Sequence, residues 1–248
     1  GNQLFPRLES VSSWFEIYQV TEDTFALLEP KHREEVISYL LLGTERALLI
    51  DSGMGIAPLR PVVDAIRPDP GKPVICLPTT AGTGAEVTKN AVLLDDERGN
   101  KASLRHDGWF ARVALVDPEL TLTLPKDQTA YGVCDIITHV TEGYFTGVDG
   151  TPIQYRFAEG VIINAIEWGR KVVADGSDLE ARSQVQWASI VALNGWVQAG
   201  VNMVPSVHMI EHALSAHHDI THGAGLAVVN PAWMRFAARH RPAKFVQF

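Results

Sequence analysis

Two short stretches carry side chains whose types and spacing could bind a metal ion: Asp135-Ile-Ile-Thr-His139, and His208-Met-Ile-Glu-His212 with His222 beyond it. Residues four apart on a helix project from one face about a turn apart, so Asp135 with His139, and His208 with His212, can each converge on one point. His222 follows across the turn-like Asp219-Ile220-Thr221. One carboxylate with several imidazoles is a mixed oxygen and nitrogen donor set that suits zinc or ferrous iron. A rival pattern occupies the same residues. His208-Met-Ile-Glu211-His212 fits H-x-x-E-H, in which two histidines hold zinc and the glutamate is the base of a peptidase. Residue types and spacing leave both readings open.

Such ligands need helices to carry them, and from Pro125 onward the signals are helical. A helix over 128–145 would carry the first pair, and one over 153–174 has long apolar periodicity. Ser177-Asp-Leu-Glu180 reads as a capping box opening a helix that runs to about residue 200, and Pro205 starts the helix of the second pair. Pro231 predicts a kink, and the basic stretch 235–244 reads as a solvated helix face. Trp168, Trp187 and Trp196 read as core packing.

The chain before Pro125 has another character. Apolar runs over 14–20, 24–28, 36–42 and 46–50, broken by polar turns, predict a meander of strands. A short helix over 58–66 is stopped by Arg67-Pro-Asp-Pro-Gly71. A buried strand over 74–77 then enters Thr79-Thr-Ala-Gly-Thr-Gly-Ala-Glu86. Its glycines let backbone approach a ligand, and its hydroxyls and amides can bind phosphate or ribose oxygens. Residues 90–94 and 101–104 predict a hairpin, and 111–116 a further strand.

The 248 residues are 46% hydrophobic and 20% charged, the composition of a soluble globular protein. A net charge of −8 argues against nucleic-acid or anionic-membrane partners. With only Cys76 and Cys134, no disulfide framework is expected, and no apolar run approaches the ~20 residues of a membrane span. A cytoplasmic location is the expectation. The opening Gly-Asn-Gln-Leu-Phe-Pro lacks signal-peptide features and a methionine, which reads as a processed, trimmed or fragmentary start.

From about residue 72 onward the chain resembles the iron-containing alcohol dehydrogenase family, in its butanol dehydrogenase-like branch. The resemblance rests on Leu77-Pro-Thr-Thr-Ala-Gly-Thr-Gly-Ala-Glu-Val-Thr88, Ala114-Leu-Val-Asp-Pro-Glu-Leu-Thr121, Cys134-Asp-Ile-Ile-Thr-His-Val-Thr-Glu142, and the histidine block followed by Pro231-Ala-Trp-Met234. It implies Fe(2+) or Zn(2+) held by Asp135, His139, His208 and His222, with His212 beside the metal as proton relay. It implies an NAD(P)H cofactor lined by Thr79, Thr80, Ala81, Gly82, Thr83, Val92 and Lys101. The implied activity is that of an oxidoreductase moving hydride between that cofactor and a small alcohol or aldehyde. A homo-oligomer is expected on other grounds, since strand edges of the opening block and helix faces left uncovered in a shortened chain would expose apolar area. A non-catalytic metal-binding or assembly module is the alternative.

Residues 13–66 resemble instead the start of a metallo-β-lactamase fold hydrolase, but Thr79 follows Pro78 where that family places its H-x-H-x-D-H metal motif. The dehydrogenase family also has a nucleotide-binding domain with a Gly-Gly-Gly-Ser loop ahead of the position matching Lys72, and further helices beyond that matching Phe248. The sequence therefore reads as a chimeric or truncated chain. The expected fold class is α+β: a β-rich α/β part, then an all-α metal-binding part, a shortened dehydroquinate synthase-like architecture. The expected divisions are 1–70 (β-meander), 71–124 (cofactor loop and hairpin) and 125–248 (helical metal-binding domain).

Overall fold

The computed structural model describes residues 5–12, 15–28, 37–44, 47–50, 62–63, 66, 74–95, 100–105, 107 and 110–248. Most of the expected 58–66 helix and the 67–71 breaker lie outside the described residues. The chain divides into two compact units: 1–79 with 85–94 and 102–117, and 80–84 with 95–101 and 118–248.

The strands are β1 (Arg7–Leu8), β2 (Glu16–Gln19), β3 (Thr24–Leu28), β4 (Ile37–Leu42), β5 (Ala47–Ile50), β6 (Val74–Leu77), β7 (Asn90–Asp95), β8 (Asn100–Arg105) and β9 (Val113–Ala114). β7 and β8 pair with each other, while the rest form one seven-stranded sheet in the order β1-β2-β3-β4-β5-β6-β9. β2 to β5 make the expected antiparallel meander, and β1 extends it by a further antiparallel pairing with β2. At β5 the sheet changes direction, since β5–β6 and β6–β9 are parallel. A parallel neighbour requires a crossover, and the described helical residues Val62, Val63 and Ile66 lie between β5 and β6.

Alternation of side chains along a strand places Phe25 and Leu27 of β3 opposite Leu40 of β4 and Ile17 of β2 respectively. These four pack with Phe15, Val62 and Val63 in one core cluster. No boundary between compact units falls at residue 70, because β5 and β6 belong to the same sheet. The strand expected over 111–116 is cut to two residues, although Leu115 N–H still donates to Cys76 O.

The second unit is helical. After a 3-10 turn (Pro118–Thr121) come α1 (Lys126–Thr146), α2 (Pro152–Ala174), α3 (Leu179–Leu193), α4 (Ser206–His218), α5 (His222–Ala237) and α6 (Pro242–Gln247). α1 is the central element and packs against α2, α3, α4 and α5. Its Val133, Ile136, Val140, Tyr144 and Phe145 share a core with Ala158, Ile162 and Ala165 of α2 and Val185 and Ala188 of α3. A mixed β-sheet followed by a largely helical region is the α+β organisation expected from the sequence. No described helix is long and apolar enough to cross a membrane.

Several local expectations are corrected. The N-cap of α3 is Asp178, which accepts from Ala181 N–H at 3.0 Å, while Ser177 donates its hydroxyl to Asp175. That helix stops at Leu193, where Gly195 adopts φ +92°, a conformation that favours glycine. Trp196 thus lies in a turn, and it and Trp187 are exposed rather than in the core. Trp168 is partly buried and covered by Lys171, 3.5 Å from its ring centroid. Pro231 sits inside α5, which runs from His222 to Ala237.

The basic stretch 235–244 is only partly a solvated face: Arg235 and Arg239 are exposed, but Arg241 and Lys244 are docked. Arg241 donates to the carbonyls of Phe145 and Gly147 at the end of α1, and Lys244 is buried against Tyr155. Cationic groups bonding the last carbonyls of a helix satisfy orphan acceptors and oppose the negative dipole end.

Candidate metal centre

Asp135 and His139 lie one turn apart on α1, and His139 Nε2 is 3.2 Å from Asp135 Oδ1. α4 brings His208 Nε2 to 3.3 Å from the same oxygen. His222, the first residue of α5, brings its Nε2 to 3.9 Å. The reversal that returns the chain from α4 to His222 uses Asp219 in the left-handed region (φ +50°), which aspartate tolerates better than most residues. Three imidazole nitrogens on separate turns thus surround one carboxylate oxygen.

Two further carboxylates stand behind them. Glu142 of α1 is fully buried, and its Oε2 is 2.5 Å from His208 Nδ1. Its Oε1 accepts from the backbone N–H groups of Val207 and His208, in the first turn of α4. No side-chain cap is present at Pro205, so Glu142 does that work from another helix. Glu211 of α4, also fully buried, accepts from His222 Nδ1 and from the Ser215 hydroxyl. Carboxylates in these positions fix the tautomer of a metal-binding histidine and raise its basicity. Glu142 was not assigned from the sequence, and Glu211 only as the base of the peptidase alternative, though each follows a histidine by three residues, at His139 and His208.

This arrangement fits a divalent cation. With Nδ1–H of His208 and His222 donated to carboxylates, their Nε2 lone pairs face another acceptor, Asp135 Oδ1, and a positive charge is needed between them. Ligand atoms about 2.0–2.2 Å from a tetrahedral ion lie about 3.4 Å from one another, and the observed separations are 3.2, 3.3 and 3.9 Å. Protonation can serve in place of the ion at His208. Burial opposes its charged form, but the bonds to Asp135 and Glu142 outweigh this and push its pKa up to about 9. Burial would raise the Asp135 pKa, yet His139, His208 and His222 together hold it well below the usual range.

The packing of α5 against α4 depends on Gly225. A Cβ there would lie 2.7 Å from Glu211 Oε1 and 2.8 Å from its Cγ, so no side chain fits without moving that carboxylate. Gly225→Ala is therefore expected to weaken metal affinity by about 10–100-fold, the usual cost of losing an outer carboxylate. Chelator competition measures this, and an unchanged affinity would show that Glu211 need not stay where it is.

His212, expected beside the metal, has its ring 5.6 Å from that of His222 and 6.4 Å from that of His208. Burial, Lys101 and His222 push its pKa down to about 4. Glu211, His212 and His222 also lie close enough to suggest a second cation cluster. The Glu211 oxygens are committed to His222 and Ser215, however, and Lys101 Nζ at 4.0 Å already supplies a positive charge. The same commitments remove Glu211 from the role of free base that the H-x-x-E-H reading requires.

Of the residues expected to line a cofactor, Thr80, Ala81, Gly82 and Thr83 belong to the helical unit, as does Lys101. Gly82 adopts φ +113° and donates its N–H to Ser189 Oγ of α3 at 2.8 Å, which pins the loop. Thr79 and Val92 belong to the sheet-bearing unit.

The helical unit thus carries a histidine and aspartate metal-binding cluster. Residues 129–248 match the model of the Fe-containing alcohol dehydrogenase family, C-terminal, and residues 47–118 match that of iron-containing alcohol dehydrogenase. The chain is 39% identical over 173 residues to the NADH-dependent butanol dehydrogenase A of Clostridium acetobutylicum, covering 68% of this chain and 44% of that protein. It is 36% identical over 176 residues to an NADPH-dependent aldehyde reductase of Escherichia coli, covering 71% and 46%. The crystal structure of NADH-dependent butanol dehydrogenase A from Thermotoga maritima is similar with a TM-score of 0.74 and 32% identity, over 82% of this chain and 55% of that one. Through its C-terminal two-thirds the chain belongs to the iron-containing alcohol dehydrogenase family. It spans less than half the length of the two relatives matched by sequence.

Proposed function

We propose that Asp135, His139, His208 and His222 hold one divalent metal ion and that the protein is a metal-dependent alcohol dehydrogenase or aldehyde reductase using NAD(P)H. The observation that carries this reading is the convergence of three Nε2 atoms on Asp135 Oδ1, in a chain of this family. When bound, such an ion supplies Lewis acidity toward a hydroxyl or carbonyl oxygen, and the nicotinamide takes or gives the hydride.

The protein's own residues do the rest. Glu142 and Glu211 hold the rings of His208 and His222 with Nε2 facing inward. Asp135 contributes the single negative charge among the four ligands, so a divalent ion held by them would keep a net positive charge toward an electron-rich oxygen. His212, half-buried beside the cluster, is the imidazole placed to take or return the hydroxyl proton. Thr79, Thr80, Ala81, Gly82, Thr83, Val92 and Lys101 form the proposed cofactor-lining set. The donor set accommodates ferrous iron or zinc, and elemental analysis after anaerobic purification distinguishes them.

The test is reduction of butanal by the metal-loaded protein with NADH or NADPH, followed by loss of the reduced cofactor's absorbance. The expected result is turnover that stops when a chelator is added and returns with metal. Metal bound without turnover on either nucleotide would overturn the enzymatic reading in favour of a non-catalytic metal-binding module.

A further inference from the structure

Lys101, on β8, has a side chain only 7% exposed, and its Nζ lies 4.0 Å from Glu211 Oε2. Among the described residues, Glu211 is the one carboxylate that this ammonium reaches within that distance. The same Glu211 oxygen accepts from His222 Nδ1, and His222 Nε2 faces Asp135. A line of alternating charge and ring therefore runs from Lys101 through Glu211 and His222 to the metal cluster. Burying an ammonium is costly, so its placement beside a cation-binding cluster calls for a reason.

We propose that Lys101 is a positioning residue that acts through Glu211 to weaken the hold of His222 on the metal ion, leaving the ion more electron-poor. The inference rests on the metal centre proposed above. A carboxylate behind a ligating imidazole makes it a better donor. A positive charge beside that carboxylate withdraws part of its effect, because fields between buried groups are weakly screened. A merely structural lysine has the opposite consequence: without it Glu211 loses a partner, His222 is less well held, and affinity falls. The sign of the change in affinity separates the two roles.

The experiment is a Zn(2+) titration in competition with a chromophoric chelator, without nucleotide or substrate. Lys101→Met is expected to bind Zn(2+) roughly tenfold more tightly than the unaltered protein. Lys101→Arg, which keeps the charge, is expected at the unaltered value. Glu211→Gln is expected to bind about 10–100-fold more weakly, and adding Lys101→Met to it should give a much smaller gain, since coupled residues are not additive.

Weaker or unchanged binding in Lys101→Met overturns the proposal, as does an equal gain with and without Glu211. If Lys101→Met does not fold by circular dichroism, Lys101→Gln is read by the same criteria. Zn(2+) binding that survives Asp135→Ala would instead overturn the metal centre itself, a failure distinct from that of the Lys101 inference.

Discussion

A protein carrying both Asp135→Ala and His222→Ala is expected to retain no metal through purification, and its Zn(2+) affinity to fall by more than about a hundredfold. Losing one carboxylate that only supports a ligand already costs about 10–100-fold, and this variant loses two groups that face the ion directly. Asp135 is also the only negative charge among the four, with His139, His208 and His222 at 3.2, 3.3 and 3.9 Å from its Oδ1. Without it the three imidazoles surround no carboxylate. His217→Ala, at an exposed position on the same α4, is the control and should bind as before. Metal content equal to that of the control, by elemental analysis of anaerobically purified protein, would rule this site out.

How far the site was legible follows from the range of the interactions. Asp135 with His139 could be read because helical period fixes which side chains share a face. His208 with His212 has the same spacing, but only His208 faces Asp135. The ring of His212 is turned 84° from that of His208, and no periodicity argument separates the two. His222 could be named from the sequence as a candidate donor, but its choice over His212 came through family resemblance, since its approach depends on the left-handed turn at Asp219 and on Gly225 meeting Glu211. Glu142 and Glu211 show the limit most clearly. Each follows a histidine that faces Asp135 by three residues, yet each supports the next one along the chain: Glu142 holds His208, and Glu211 holds His222. Such crossed pairing is a property of helix packing, invisible in either motif alone.

The fold divides in the same way. The meander was legible because apolar runs broken by turns specify strands locally, whereas the two-residue strand β1 carries no period to read, and β9 pairs over only two residues of the apolar run that announced it. The basic residues Arg241 and Lys244 looked solvated, because nothing local indicates that α6 folds back onto the end of α1. One family model begins its match at residue 47, ahead of residue 72, from which the resemblance was read. Ala47 opens β5, the strand at which the sheet passes from antiparallel to parallel pairing.

Glu142 joins the metal cluster to the stability of the fold, and its replacement is expected to have the largest effect on folding. Glu142→Ala removes the acceptor of His208 Nδ1 and of the N–H groups of Val207 and His208, all at one fully buried carboxylate. Breaking a buried charged pair by removing one partner costs about 3–5 kcal/mol, and α4 has no side-chain cap of its own to compensate. Glu142→Gln separates the two functions. Its amide oxygen can still accept from the start of α4, a contribution of about 0.5–2 kcal/mol, but its amide nitrogen meets the donating Nδ1 of His208. The glutamine variant should therefore unfold at a urea concentration between those of the alanine variant and the unaltered protein, while its Zn(2+) affinity falls by about 10–100-fold. Urea unfolding of the metal-free proteins and chelator competition on the loaded ones measure the two effects separately. Equal destabilisation by glutamine and alanine would show that the cap at α4 needs the full carboxylate charge, and undiminished Zn(2+) affinity in Glu142→Gln would show that His208 keeps its orientation without it.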